Sequence, residues 1–352
     1  MKTTFVSTSA LHNSVRLAMQ RSQRELSDAT TEMTTGRHAD VGLALGSQSS
    51  TSVSLTRTIE HLKTMQDTNA LAQQRLTVSQ AALEQLSANG QTMLETMITL
   101  GNSGETNNIS IAKRDLVSAL DSFASIANTS SAGEFVFAGI NTDVRPVTPY
   151  EDGSGAQSDF QALFTGTFGF PSTDPQAANI TSAQMEGFLA DVEAMFMDTA
   201  PGSYWATNWS AASDSNVTSR IGKSEIIETS TNSNTEGFRR YAMVALVGVE
   251  LLELPLATGA RQAMSSWMVT EAGSAIGQID GERAELGVSE QRVTRSSKGL
   301  EDQRDVLSLY LTSLESVDLN EAAVRVNTLE TQLQAAYTLT GRLQNMSLLN
   351  YL

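Results

Sequence analysis

The sequence contains no cysteine, which excludes disulfides, thiolate zinc sites and thiol nucleophiles together. That absence fits a cytosolic chain, and equally one exported unfolded, where stray thiols are a hazard. Proline is scarce: five of the six lie between Pro146 and Pro201, and the sixth is Pro255. Residues 1–145 and 256–352 hold none, so both arms are free to form long helices that proline would break. Histidine is confined to His12, His38 and His61, with no i, i+4 pair among them. A metal site there would need ligands the pattern does not supply, and solvated or capping histidine is the better reading. The longest apolar run, Tyr241 to Val249, stops at Glu250, far short of a bilayer span. The start, MKTTFVSTSALHNSVRLAMQ, has Lys2 but no continuous apolar stretch, which reads as no cleaved secretory signal.

Catalytic patterns are equally scarce. Gly42-x-x-x-Gly46 lacks the following Lys-Ser/Thr of a phosphate loop, and no G-x-S-x-G elbow occurs. Asp191 and Glu193 are two apart, on different sides of the helix expected there, and make poor acid/base partners. The expectation is a protein that is not an enzyme and carries no cofactor.

The net charge is −16, of which residues 146–260 carry −10. An acidic middle argues against nucleic acid, because neutralising phosphates needs a basic face. It suits a solvated domain held apart from its neighbours by charge.

The arms carry the clearest pattern. In the C-terminal arm Leu319, Ala322, Val326, Leu329, Leu333, Ala336, Thr340 and Leu343 recur at alternating spacings of four and three, continuing through Met346 and Leu349. That is a coiled-coil seam, with Asp318 or Asn320 placed to cap it. Within 331–352 Arg342 is the only charged side chain, which suits burial of the outer face against other neutral helices. The N-terminal arm repeats the spacing with Val15, Met19, Ser22, Leu26, Ala29 and Met33, and should stop near Gly36. A long helix is expected from Ser52 to Leu100, with Leu55, Ile59, Leu62, Leu76, Leu83, Leu94 and Met97 on or near one stripe. Gln66, Asn69, Gln73 and Gln80 fall at its seam positions, where polar residues fix register at some cost in stability. After a break at Gly101–Gly104, Ile109, Ala112, Leu116, Leu120, Phe123 and Ala127 form a third stripe. Leu300, Leu307, Leu311, Leu314 and Val317 are its expected return partner, which would bring the two ends together around an inserted middle.

The middle reads as a mixed α/β module. Gly133 to Phe137 is expected as a short strand, and Phe160, Phe164, Phe168 and Phe170 as exposed or half-buried strands. Thr181 to Met197 is expected as a helix opened by a Thr181/Gln184 capping box. Trp205, Trp209 and Ile221 to Thr229 lean toward strand, and periodicity leaves Phe238 to Leu254 open between helix and buried strand. The aromatic group serves either as a glycan-binding surface or as the small core of this domain, and usual aromatic burial favours core.

Three segments carry a family resemblance. Leu26 to Asp40, LSDATTEMTTGRHAD, resembles the helix-and-loop segment shared by flagellins and the hook–filament junction proteins of the FlgL type. Phe135 to Tyr150, FVFAGINTDVRPVTPY, is similar to the F-A-G-x-x-T stretch that leaves the helical domain of the latter, and Arg342 to Leu352, RLQNMSLLNYL, resembles their S-L-x-x-Y-L ending. The run VGLALG at Val41 to Gly46 looks most like the alphaproteobacterial members, while the usual Pro-Ser-Asp-Asp-Pro-type run after Gly36 is missing. The resemblance implies a mainly α fold: long terminal helices forming a coiled-coil and bundle domain, with a mixed α/β outer domain inserted. Its expected divisions are 1–40 for assembly and export, 41–145 and 261–318 for the helical core, 146–260 for the outer domain and 319–352 for assembly. It further implies an extracellular subunit of the flagellum joining hook to filament, or alternatively flagellin, the filament subunit. The implied partners are further copies of itself, the hook-associated protein FlgK, flagellin, the export chaperone FlgN and the flagellar type III apparatus, with neither nucleic acid nor membrane insertion. The expected assembly seam comprises Val15, Met19, Leu26, Met33, Val326, Leu329, Leu333, Ala336, Leu343 and Met346. A cytoplasmic coiled-coil scaffold and an enzyme carried by the middle domain are the competing classes.

Overall fold

The structure, a computed structural model, describes residues 8–102 and 106–349, without the side chains of 8, 9, 11, 12, 101, 102, 106, 107 and 343–349. The absence of proline from the arms is realised as four long helices: α1 (Thr8–Thr35), α3 (Ser49–Asn102), α9 (Thr258–Glu315) and α10 (Leu319–Leu349). Between them lie the short α2 (Val41–Leu45), then α4 (Thr106–Ala127), α5 (Gly155–Phe168), α6 (Ser182–Met197), α7 (Tyr204–Asn208) and α8 (Glu236–Leu251). Two antiparallel hairpins complete the fold: β1 (Ser130–Ser131) with β2 (Glu134–Phe135), and β3 (Thr218–Arg220) with β4 (Ile226–Glu228). The fold is mainly α with a small mixed region. The chain divides into one unit of Met1–Thr64 with Leu300–Leu352 and a second of Met65–Gly299.

Helix boundaries follow local chemistry. Gly36 takes φ +69° and ends α1, a conformation that costs little only without a Cβ. The Asp318 carboxylate accepts from the backbone N–H of Asn320 at 2.8 Å and caps α10. The expected capping box opens α6: Gln184 N–H donates to Thr181 Oγ1, and Thr181 N–H donates back to Gln184 Oε1 at 3.0 Å.

The second unit is built around α8. Phe238 and every residue from Tyr241 to Gly248 are fully buried or nearly so, which settles the open segment as a helix surrounded on all sides. Its partner is α4, whose Leu116 closes on Gly248 so tightly that a Cβ there would clash. The expected partner of the α4 stripe, Leu300 to Val317, instead belongs to the first unit. The stripe could not name its own partner; α8, apolar from Tyr241 to Val249, offered more surface to bury. The expected strands at Phe160, Phe164 and Phe168 are likewise a helix, α5, and their spacing of four is the helical one. Phe160 and Phe164 pack against Phe188. Trp205 sits in α7 and stacks on Trp209 at 5.7 Å, both buried, so these aromatics form core and not a glycan surface.

The polar seam of α3 finds its partners on α9. Gln66 Nε2 donates to the Ser297 carbonyl at 3.5 Å, Gln73 to Glu290 at 2.6 Å and Gln80 to the Arg283 carbonyl at 3.0 Å. Each step of seven along α3 is matched by a step of seven backward along α9, so the three amides fix one antiparallel register. Asn69, between them, donates to the Ile221 carbonyl at 3.0 Å and ties in the β3–β4 hairpin.

Candidate assembly interface

The two arms meet in the first unit. The linkers that follow α1 and α9 pair with each other: Val317 N–H donates to the Gly36 carbonyl and His38 N–H to the Glu315 carbonyl, both at 3.0 Å. Beyond this crossing α1 and α10 run antiparallel. Arg325 pairs with Glu32 at 3.0 Å, Gln23 donates to the Tyr337 hydroxyl at 2.8 Å, and Thr340 lies against the Met19 sulfur at 3.6 Å.

The residues expected from sequence as a seam between copies form, where described, the contact of this pair within one chain. Ala29, Val326 and Leu329 are buried together with Leu26 packed on them, and Val15, Met19, Leu333 and Ala336 are half-buried. Met33 departs from the stripe and is 37 % exposed. At that level the chain is already turning at Gly36, and the polar group of Glu32, Arg325 and His38 occupies the contact. Leu343 and Met346 lie among the side chains outside the described set. The seam residues are therefore satisfied, where they are described, by the chain's own opposite arm. What the pair leaves for a neighbour is its outer face.

That face is less polar than its composition suggests. Thr30, Thr31, Thr34 and Thr35 on α1 turn their hydroxyls back to carbonyls four residues earlier, at 2.7–2.9 Å. Thr328, Thr331 and Thr338 on α10 do the same at 2.8–2.9 Å. A hydroxyl spent on its own helix leaves the methyl group pointing outward. Eleven of the nineteen exposed large hydrophobic side chains among the described residues fall in this unit, which is about a third of the chain. Leu17, Val324, Tyr337 and Leu339 are on α1 and α10 themselves.

Sequence reasoning missed the crossing beneath the pair. Glu32 and Glu315 are buried there: Ser52 Oγ donates to Glu315 at 2.5 Å, and Arg37 pairs with it at 3.4 Å. The one available signal was Glu32 beside the apolar stripe of α1, since an acid requires a partner when buried.

The second unit offers polar clefts. A cleft of about 610 Å³ is lined by Glu193, Glu236 and Arg240 among others. Arg240 ties Glu193 at 3.0 Å, Glu236 at 2.7 Å and the buried Glu271 into one ion-pair group, so Glu193 has a structural partner. Among the described residues no group of His, Asp or Glu is placed to hold a metal ion, and no helix is long and apolar enough to cross a membrane. His38 lies 3.5 Å from Glu32, His61 is exposed, and the His12 side chain is outside the described set.

Comparison with known proteins agrees with this architecture. The family described as the bacterial flagellin N-terminal helical region matches residues 6–142, and the bacterial flagellin C-terminal helical region matches residues 269–352. No curated protein matches the chain. Among solved structures, one described as a flagellar hook-associated protein of Vibrio parahaemolyticus aligns over 76 % of this chain and 97 % of its own, with a TM-score of 0.53 and 11 % identity. At that identity the likeness is one of fold. The two flagellin regions together span more than half of the sequence and fall on the arms whose seams meet in the first unit, and the chain belongs to the flagellin superfamily, the structural proteins of the bacterial flagellum.

Proposed function

We propose that this protein is a hook-associated junction subunit, a layer between the hook and the flagellin filament, and that it assembles with further copies of itself. The observation that carries the assembling role is the α1–α10 pair. Its seam is closed within one chain, while α10 carries no charged residue from Thr331 to Gly341 and exposes Val324 and Leu339, with Leu17 exposed on α1. A surface of that kind gains by being covered by neutral helices of neighbours.

Support for the junction, as against the filament, comes from the FVFAGINTDV stretch and the SLLNYL ending, and from the hook-associated description of the structural neighbour. The stretch has a defined geometry. Gly139 adopts φ +60° where its Cα lies against the Ser213 and Ser215 carbonyls, and Ile140 N–H donates to Ser215 at 2.9 Å. On this reading the subunit leaves the cell through the flagellar type III apparatus with a FlgN-type chaperone, meets FlgK on one side and flagellin on the other, and faces its acidic middle outward. It performs no catalysis.

Deletion tests the reading. Cells lacking the protein should build hooks and shed unpolymerised flagellin into the medium. If they instead lose the abundant filament protein itself, the subunit is a flagellin and the junction assignment fails.

A further inference from the structure

The first unit contains two helical segments whose outward faces differ in charge. In residues 49–64 of α3, Ser52, Leu55, Ile59 and Leu62 are buried or half-buried, and the opposite side of the helix presents Val53, Arg57 and His61 at spacings of four. In residues 300–315 of α9, Leu300, Leu307, Leu311 and Leu314 turn inward, and the opposite side presents Asp302, Asp305, Val306 and Leu309. The bond from Ser52 to Glu315 sets the two inward sides facing each other. Their outward sides therefore point away from one another, on opposite flanks of the pair.

These flanks are complementary. The outward side of 49–64 carries Arg57 and His61 beside Glu60, and that of 300–315 carries Asp302 and Asp305, of which Asp305 also pairs with Arg304 at 3.1 Å. Both expose aliphatic side chains: Val53 is 51 % exposed, Val306 65 % and Leu309 71 %. A two-fold contact of the α9 face with its own copy would set Asp302 and Asp305 against like charges, which is unfavourable. The opposite pairing covers the aliphatics and joins acid to base.

We propose that copies of this chain associate through a heterologous contact in which the Asp302–Leu309 face of α9 on one copy docks on the Val53–Arg57–His61 face of α3 on the next. This rests on the reading of the chain as an assembling subunit and names the surfaces it uses. Because donor and acceptor faces differ, the contact repeats and generates a ring or a helix in place of a closed dimer.

The absence of cysteine gives a direct test. Full-length V53C and L309C variants, each with one exposed thiol, are mixed at concentrations where the wild type polymerises and are mildly oxidised. The expected product is the mixed Val53→Cys/Leu309→Cys dimer, in several-fold excess over either homodimer. Homodimers at comparable yield, or no cross-link at all, would overturn the proposal. A second pair of variants guards against local effects of the thiols. Arg57→Glu and Asp305→Lys should each reduce polymer yield about tenfold, and combining both in one chain should restore it. Failure to restore assembly in the double variant counts against the contact. The readout is purified protein, so it is independent of position in the flagellum. If deletion shows a filament subunit but the mixed cross-link forms, only the junction reading falls; if deletion supports the junction but the cross-link is absent, only this contact falls.

Discussion

Replacing Glu282 by glutamine should make the protein more stable at pH 8 and leave it nearly unchanged at pH 4. Glu282 lies on α9 beside the buried polar segment Thr229–Ser233, where Thr231 donates to its carboxylate at 3.1 Å. No arginine or lysine among the described residues pairs with it. Burial, which disfavours the charged form, pushes its pKa from the usual 4.5 up to about 7, and the Thr235 and Thr231 hydroxyls oppose this only in part. The folded state thus holds a proton that the unfolded state releases between those values. Stability associated with this group is fully present below pH 4.5 and is lost as pH rises through about 7. A shift of that size corresponds to roughly 3 kcal/mol at most, and relaxation around a partly accessible group reduces it to about 1–3 kcal/mol. Glutamine keeps the shape and an acceptor for Thr231 but never ionises. Thermal unfolding of both proteins from pH 4 to pH 8 is the assay. A Tm difference of about 3–8 °C in favour of the variant at pH 8, closing toward pH 4, is expected. A variant less stable than wild type at pH 8, or a difference independent of pH, would refute the reasoning.

Three further substitutions probe the second unit. Arg240→Met removes the one cation shared by Glu193, Glu236 and the buried Glu271, and should cost about 3–5 kcal/mol in urea unfolding, because the buried carboxylate is left without a partner. Ala132 holds a left-handed conformation, φ +53°, in the exposed turn between β1 and β2, so Ala132→Gly should raise stability by up to about 1 kcal/mol; a loss would show the strain argument wrong. Thr181→Ala deletes half of the α6 capping box and should cost about 1 kcal/mol, measured as a shift in the urea midpoint without change in slope.

The arms were legible in the sequence because their physics is local. A four-three apolar spacing fixes which face of a helix is buried, and Gly36, Asp318 and Thr181 mark ends through their own backbone and side-chain chemistry. What a stripe does not state is its partner. Apolar character alone pairs the α4 stripe from Ile109 to Ala127 with Leu300–Val317, whereas in the structure α8 holds that position. From Tyr241 to Val249 the α8 sequence is apolar on every side, so no period distinguishes helix from strand, and only its surroundings decide. The Phe160–Phe164–Phe168 spacing was helical all along, but glycine and threonine between the rings gave it the look of a strand. In the terminal pair, the apolar stripe from Val15 to Ala336 could be read in advance, but not that it closes on the chain's own opposite arm; the burial of Glu32 and Glu315 depends on how the two linkers cross. No spacing rule encodes that crossing.

The terminal pair also sets the account's most direct test. Along α1 and α10, the described fully buried aliphatics beyond alanine are Val326 and Leu329. Each contributes about 1.5–3 kcal/mol, against a backbone ordering cost of about 1–2 kcal/mol per residue that helix hydrogen bonds only partly offset. On the proposed assembly, neighbours covering the outer face add burial that the pair alone does not supply. Amide hydrogen exchange on residues 8–35 and 319–349, compared between dilute monomer and assembled protein, measures this. Rapid exchange in the monomer and protection slower by about a hundredfold or more on assembly is the expected result. Equal, strong protection in both states would show that the chain completes its own terminal pair, and that assembly is not what stabilises it.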